Sequence, residues 1–213
     1  MTDPTTDSGR TWRGQTTEER QAERRQRLIE AGIELFGTRG YANTPVKAIC
    51  EEAGLTERYF YEAFEDREHL LDEIFSIVLT DCRQATLDAI RDSGDDLETS
   101  MRAGLSAFAH ELTRDPRRAR IQEIEVVGVS LALERKRRDS IHAFAAIVAD
   151  RTRELGGKER IGPLRLDVIA LGLVGSVNEQ LIAYVLGHLD ISLEDLNENQ
   201  IAAFSAVAGQ LLE

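Results

Sequence analysis

Apolar residues recur at three- and four-residue intervals from Leu28 to Leu211, and no stretch alternates with period two over a convincing length. Residues three or four apart share one face of a helix, whereas a strand repeats every second residue, so the chain is expected to be all-α with about nine helices. Thr16 followed by Glu19 has the form of a capping box; Leu28, Ala31, Gly32, Leu35 and Phe36 then share a face and Gly40 supplies a stop, which predicts a first helix over 17–38. Thr44-Pro45 predicts a second start, with the threonine oxygen as cap and a proline that lacks an N–H at the first helical position. Val46, Ile49 and Ala53 then share a face until Gly54, and Thr56 can cap a third helix reaching about Phe64. Further helices are predicted over 67–92 (capped by Asp66), 96–113, 116–126 (opened by Asp115-Pro116), 129–155, 163–188 (opened by Gly162-Pro163) and 193–212, where Ser192 and Asp195 approximate a capping box.

The 213 residues suit a module of roughly 50 residues joined to a larger body. Residues 1–15 are polar and aperiodic and read as a flexible arm, 16–66 as a helix-turn-helix head, and 67–213 as a helical body. The two cysteines, Cys50 and Cys82, lie far apart without a CxxC pairing, which argues against a disulfide scaffold and for a reducing cytoplasm. The apolar runs fall short of a membrane span, so no membrane partner is expected. His69, His110, His142 and His188 fall on four different predicted helices without ligand spacing, and no metal site is expected. No nucleophile, base and orienter can be assembled by spacing, and no glycine loop suits a phosphate cofactor; neither an enzyme nor a cofactor is expected.

The net charge of −12 speaks against a nucleic-acid partner until its distribution is considered. Residues 10–29 hold six arginines, Arg10, Arg13, Arg20, Arg24, Arg25 and Arg27, against three glutamates. Helix 1 arginines could pair with Glu19 and Glu23 or meet flanking phosphates, and Arg10 and Arg13 could enter a minor groove. Within 40–70, Val46, Ile49, Ala53, Leu55, Phe60 and Phe64 form an apolar centre that leaves Lys47, Arg58, Tyr59 and Tyr61 outside it. Lys47 and Arg58 sit in first turns, where the helix dipole disfavours a cation, and an anionic partner such as a phosphate or guanine edge would explain them. The run Arg135-Lys136-Arg137-Arg138 reads as a solvated helix face.

The segment from Gly40-Tyr41 through Thr44, Ala53-Gly54-Leu55-Thr56 and Tyr61-Glu62-Ala63-Phe64 to Asp66-Arg67-Glu68-His69-Leu70 resembles the tetracycline-repressor-like (TetR) family, closely over residues 20–71 and beyond them by helix order alone. The resemblance implies binding to a double-stranded DNA operator by a homodimer. It implies a phosphate contact by Thr44, capping of the recognition helix by Thr56, groove readout by Arg58 and Tyr59, a backbone contact by Tyr61, and a phosphate contact by Arg67 where lysine is usual. Lys47 joins this set on its charge. Cys50 departs from a common alanine and reads as a small buried hydrophobe. Ala63 departs from a frequent phosphate-contacting histidine or tyrosine, and Arg58 fills a position often held by a small residue.

The resemblance further implies an apolar cavity for an unidentified small-molecule effector, with Phe75, Leu79, Cys82, Met101, Leu105, Phe108 and Phe144 as candidate lining. With Cys82 and His110 as its only polar accents, an uncharged or aromatic effector is expected rather than a strongly anionic one. Helix 163–188 is apolar almost all round, and Gly172, Gly175, Ser176 and Ala183 would let another helix approach closely. Leu173, Val177, Leu181, Phe204, Val207 and Leu211 are the expected dimer face. A ligand-responsive repressor released from a palindromic operator is therefore expected, with helix 67–92 as the lever; a helical protein using its head to bind another protein is the alternative.

Overall fold

The computed structural model describes residues 16–212. The expected arm, with Arg10 and Arg13, lies outside the described residues. Nine α-helices follow in order among them: α1 (Thr17–Arg39), α2 (Val46–Ala53), α3 (Glu57–Ala63), α4 (Arg67–Asp92), α5 (Leu97–Thr113), α6 (Pro116–Arg120), α7 (Leu131–Glu154), α8 (Leu166–Val185) and α9 (Leu193–Leu212). The expected all-α architecture holds.

The capping box of α1 is reciprocal: Thr16 Oγ1 accepts from the Glu19 N–H at 3.1 Å and Glu19 Oε2 from the Thr16 N–H at 2.7 Å. Asp66 caps α4 through the His69 N–H, and Ser192 Oγ accepts from the Asp195 N–H at 3.0 Å. The turn between α2 and α3 closes when the Leu55 N–H reaches the Cys50 carbonyl at 2.8 Å and the Gly54 N–H the Glu51 carbonyl at 3.1 Å. Gly54 takes a left-handed conformation there, φ 62°, which a side chain would strain.

Three expected helix boundaries are corrected. Pro45, not Thr44, is the N-cap of α2, and no side chain caps that end, because the Thr44 hydroxyl faces inward. The 116–126 helix is α6 followed by a π-helical turn, Ile121–Glu125. Gly162-Pro163 does not open α8; it is the two-residue turn of a small hairpin, β1 (Arg160–Ile161) and β2 (Leu164–Arg165), with Gly162 at φ 55°.

One core runs from Leu28, Phe36, Ile49, Phe60 and Phe64 in the head through Leu70, Ile74 and Phe75 to Val177, Leu181 and Phe204 in the body. α4, about 39 Å long, crosses from one to the other. A smaller cluster of Ala145, Ala149, Leu166, Ala170 and Leu211 ties α7, α8 and α9 together, with Val207 packed on it. α1 passes so close to α6 at Gly37 that a Cβ there would lie 2.4 Å from Arg117 Cβ and 2.7 Å from its Cα.

Candidate nucleic-acid interface and body cavity

The head puts one set of polar side chains outward and spends another on holding itself together. Arg58 projects from the first turn of α3 with its side chain 84% exposed, and Tyr61 is 57% exposed one turn on. Lys47 is exposed at the start of α2, and Thr56 at the N-cap of α3. Each of the two cations has a glutamate one turn along its own helix, Lys47–Glu51 at 3.8 Å and Arg58–Glu62 at 3.0 Å. These pairs account for first-turn cations without an external anion, so the dipole argument made from the sequence loses its force. Being solvated, they are worth only about 0–1 kcal/mol and open at little cost.

Thr44 is corrected. It is 0% exposed, and its hydroxyl donates to the Gly40 carbonyl at 2.8 Å and toward that of Leu35 at 3.4 Å, so it closes the α1–α2 loop instead of facing a phosphate. Thr56 is also corrected in part: it stands at the N-cap of α3 without a side-chain capping bond. Arg67 donates from one nitrogen to the carbonyls of Tyr41 and Thr44, both at 3.0 Å, and stacks 4.4 Å from the centre of the Tyr41 ring. That nitrogen is engaged within the head, where the expectation was a phosphate contact.

Arg24, Arg25 and Arg27 of α1 do not pair with Glu19 or Glu23. Arg24 lies over the Tyr59 ring at 4.4 Å, Arg25 pairs with Glu73 at 3.0 Å and covers Phe64, and Arg27 donates to the Ala53 carbonyl. Tyr59 is half-buried beneath Arg24. The Arg25 guanidinium holds the Glu73 carboxyl below the usual carboxylate range. Guanidinium groups suit this bracing because they stack on rings and bond edgewise together.

Below the head, α4, α5, the π turn, α7, α8 and α9 line a partly open cavity of about 80 Å³. Leu79, Met101, Leu105, Phe108, Ile141, Phe144 and Val148 line it, with Phe108 and Phe144 edge to face at 5.0 Å between ring centres. Phe75 and Cys82 are corrected: both are fully buried in the core and neither lines the cavity. Burial pushes the Cys82 thiol up to about 12. His110 is exposed and also stands outside it. The polar lining is instead Thr86, Gln122, Glu123, Ser140 and Asn178. The sequence reading passed over Gln122 and Glu123; the available signal was a carboxylate set among Ile121, Ile124 and Val126, where a buried helix face allows none without a reason.

The expected dimer face is corrected as well. Val177, Leu181, Phe204 and Leu211 are buried inside the protomer, Val177 and Phe204 on the cavity wall itself, while Leu173 and Val207 are half-buried. What α8 leaves open is Val168, Gly172, Ser176 and Glu179, with Gly175 half-buried; Leu186 is exposed just past its end, and α9 leaves Ala202, Ala203, Ala206 and Gly209. Nothing lies within 4 Å of where a Cβ at Gly172, Gly175 or Gly209 would stand. α8 is long and apolar enough to cross a membrane by length and composition, and 17% of its most apolar stretch is buried.

Head and body meet through α4, α6 and the π turn, and α4 and the π turn also wall the cavity. Glu125, closing the π turn, accepts the Tyr41 N–H at 2.7 Å and pairs with Arg120 at 2.8 Å. Arg117 reaches Glu34 of α1 at 2.6 Å and its own Asp115 at 2.7 Å. Lys136, within the basic run of α7, bonds Asp72 of α4 at 2.7 Å.

Residues 28–74 match the family of bacterial regulatory proteins called tetR. A curated relative, the uncharacterized HTH-type transcriptional regulator YerO of Bacillus subtilis, is 37% identical over 49 residues, which are 23% of this chain and 17% of that protein's length. Among solved structures, the fatty acid degradation regulator FadR from Bacillus halodurans superposes with a TM-score of 0.73 at 16% identity, covering 84% of this chain and 93% of its own. A structure described as a TetR-family transcriptional regulator from Syntrophomonas wolfei gives 0.75 at 18%, covering 88% and 96%. FadR from Bacillus subtilis, solved in complex with stearoyl-CoA, gives 0.66 at 17%, covering 83% and 95%. Residues 28–74 thus carry a tetR-type helix-turn-helix, and the helices behind it share the fold of those solved regulators; the chain spans about a sixth of the length of the curated relative it matches.

Proposed function

We propose that the protein is a non-enzymatic, ligand-responsive repressor of the bacterial cytoplasm that binds a palindromic operator as a homodimer and leaves it when an effector enters the body cavity. Readout falls to Arg58 and Tyr61, with Lys47 and the edge of Tyr59 beside them, and the helix N-termini add backbone N–H groups toward phosphate. A second copy covers the open small-residue stripe of α8 and α9, which sets two α3 helices about 34–36 Å apart, one helical turn of DNA.

The observation that carries this reading is that α4 and the π turn both wall the cavity and support the head. α4 begins at Arg67, which holds the Tyr41–Thr44 loop, and lines the cavity with Leu79, Thr86 and Ile90. The π turn lines it with Gln122 and Glu123 and holds Tyr41 through Glu125. At about 80 Å³ the cavity is well below the roughly 300 Å³ of a ligand-filled pocket, so an effector enters by moving these walls. Its effect on operator affinity equals its preference for the parted state, typically about 1–3 kcal/mol. FadR of Bacillus subtilis was solved with stearoyl-CoA, but at 17% identity that likeness carries the fold alone.

Genomic DNA captured by the protein, sequenced and used as a labelled duplex tests the proposal. Affinity is expected to fall steeply with salt, to need the dimer, and to drop by about 1–3 kcal/mol in Arg58→Ala with relaxed specificity at one base pair. Binding that ignores salt and Arg58 would move the head to a protein partner.

A further inference from the structure

The cavity is apolar on most sides, but the π turn presents it with acceptors. Gln122 is 7% exposed; its Nε2 donates to Glu123 Oε1 at 3.2 Å and its Oε1 has no hydrogen-bond partner. Glu123 is 3% exposed, and the one cation acting on it among the described residues is Arg137 of α7, itself paired with Glu134 at 3.7 Å. The two hydroxyls on the wall are already spent as donors, Thr86 to the Cys82 carbonyl at 2.8 Å and Ser140 to the Arg137 carbonyl at 2.7 Å. Buried acceptors facing a void are costly unless a donor arrives, and a buried carboxylate asks for a cation.

We infer that the cavity takes a small lipophilic amine, whose ammonium group donates to the Glu123 carboxylate and Gln122 Oε1 while its hydrocarbon lies among Phe108, Phe144 and Val177. An ammonium offers three donors and no acceptor, which complements Gln122 Oε1 and the Glu123 carboxylate. The neighbouring phenyl rings favour a cation as well. A carboxylate-headed ligand would set acceptor against acceptor and charge against like charge. This assignment rests on the cavity being the effector site.

Burial raises the Glu123 carboxyl to about 7, so near neutrality part of the population carries a proton that an arriving ammonium displaces into solvent. Arg137 of α7 and Cys82 of α4 are the titratable groups facing Glu123, and Cys82 keeps its proton up to about 12. Glu123 alone therefore changes charge in that range.

Calorimetric titration of the full chain at pH 7 with hexylamine, hexan-1-ol and hexanoate tests the assignment. Hexylamine is expected to bind about tenfold or more tightly than the other two, the worth of a charge-assisted hydrogen bond. Its heat should vary with the buffer's ionisation enthalpy as a proton is released. Glu123→Gln, nearly isosteric, should abolish both the preference and the buffer dependence while hexan-1-ol binding stays. Hexan-1-ol or hexanoate binding as tightly as hexylamine overturns the amine and leaves the cavity as an effector site. A preference that survives Glu123→Gln overturns the role of Glu123. No binding of any of the three overturns the amine and the effector cavity together.

Discussion

The head and the cavity end of the body handle their buried polar groups in opposite ways. In the head, the Thr44 hydroxyl, the Arg67 guanidinium and the Tyr41 N–H all have partners, and each bond closes a loop or joins two helices. In the cavity, Gln122 Oε1 has none, and the Glu123 carboxylate is buried against hydrocarbon. Satisfied groups serve architecture, so removing them lowers stability. Unsatisfied ones cost stability in the ligand-free protein, and a donor arriving in the cavity would return that cost.

Four substitutions test the contrast. Phe60→Ala empties the centre of the head and should cost about 3–5 kcal/mol in denaturant unfolding; a loss below about 1 kcal/mol would mean that the three-helix core is not what holds α3. Glu123→Gln should act in the opposite direction. The native carboxyl holds its proton to about pH 7 against 4.5 in the free side chain, so wild-type stability falls as pH rises through that window and is flat above it. The variant should therefore be more stable by about 3 kcal/mol at pH 8, with the gap closing toward pH 4.5. Thermal unfolding at the two pH values reads it, and an equal gap at both would break the contrast.

Gly37→Ala forces α1 away from Arg117 and should cost about 1–3 kcal/mol, with melting of the head uncoupled from that of the body in hydrogen exchange. Thr44→Val should cost about 1 kcal/mol of stability while the salt dependence of DNA binding stays unchanged. A shallower salt slope would return Thr44 to the phosphate contact first expected of it.

Local signals made the head readable. The Thr16–Glu19 box, the Asp66 cap and Gly54 each act within a few residues, and one apolar stripe per helix left a single way to fold α1, α2 and α3 together. α8 offered no such guide. With apolar residues on all sides, its periodicity could not say which stripe meets the core, which the cavity and which another chain. Packing divided it by size within the protomer: Val177 and Leu181 are buried, while Gly172 and Ser176 stay exposed. The partner of the π turn was hidden for a related reason, since Glu125, which closes it, accepts from the Tyr41 N–H 84 positions away.

The number of helices, the ends marked by the Thr16 and Asp66 caps and by Gly54, the helix-turn-helix and its outward Arg58 and Tyr61 were thus determined by the chain alone, because caps, glycine stops and amphipathic period are short-range physics. Which polar groups face a cavity, which arginines brace the head and which face of α8 stays bare were decided only in the tertiary structure. Those choices turn on which distant surfaces meet, and volume and hydrogen-bond satisfaction are settled only where they do.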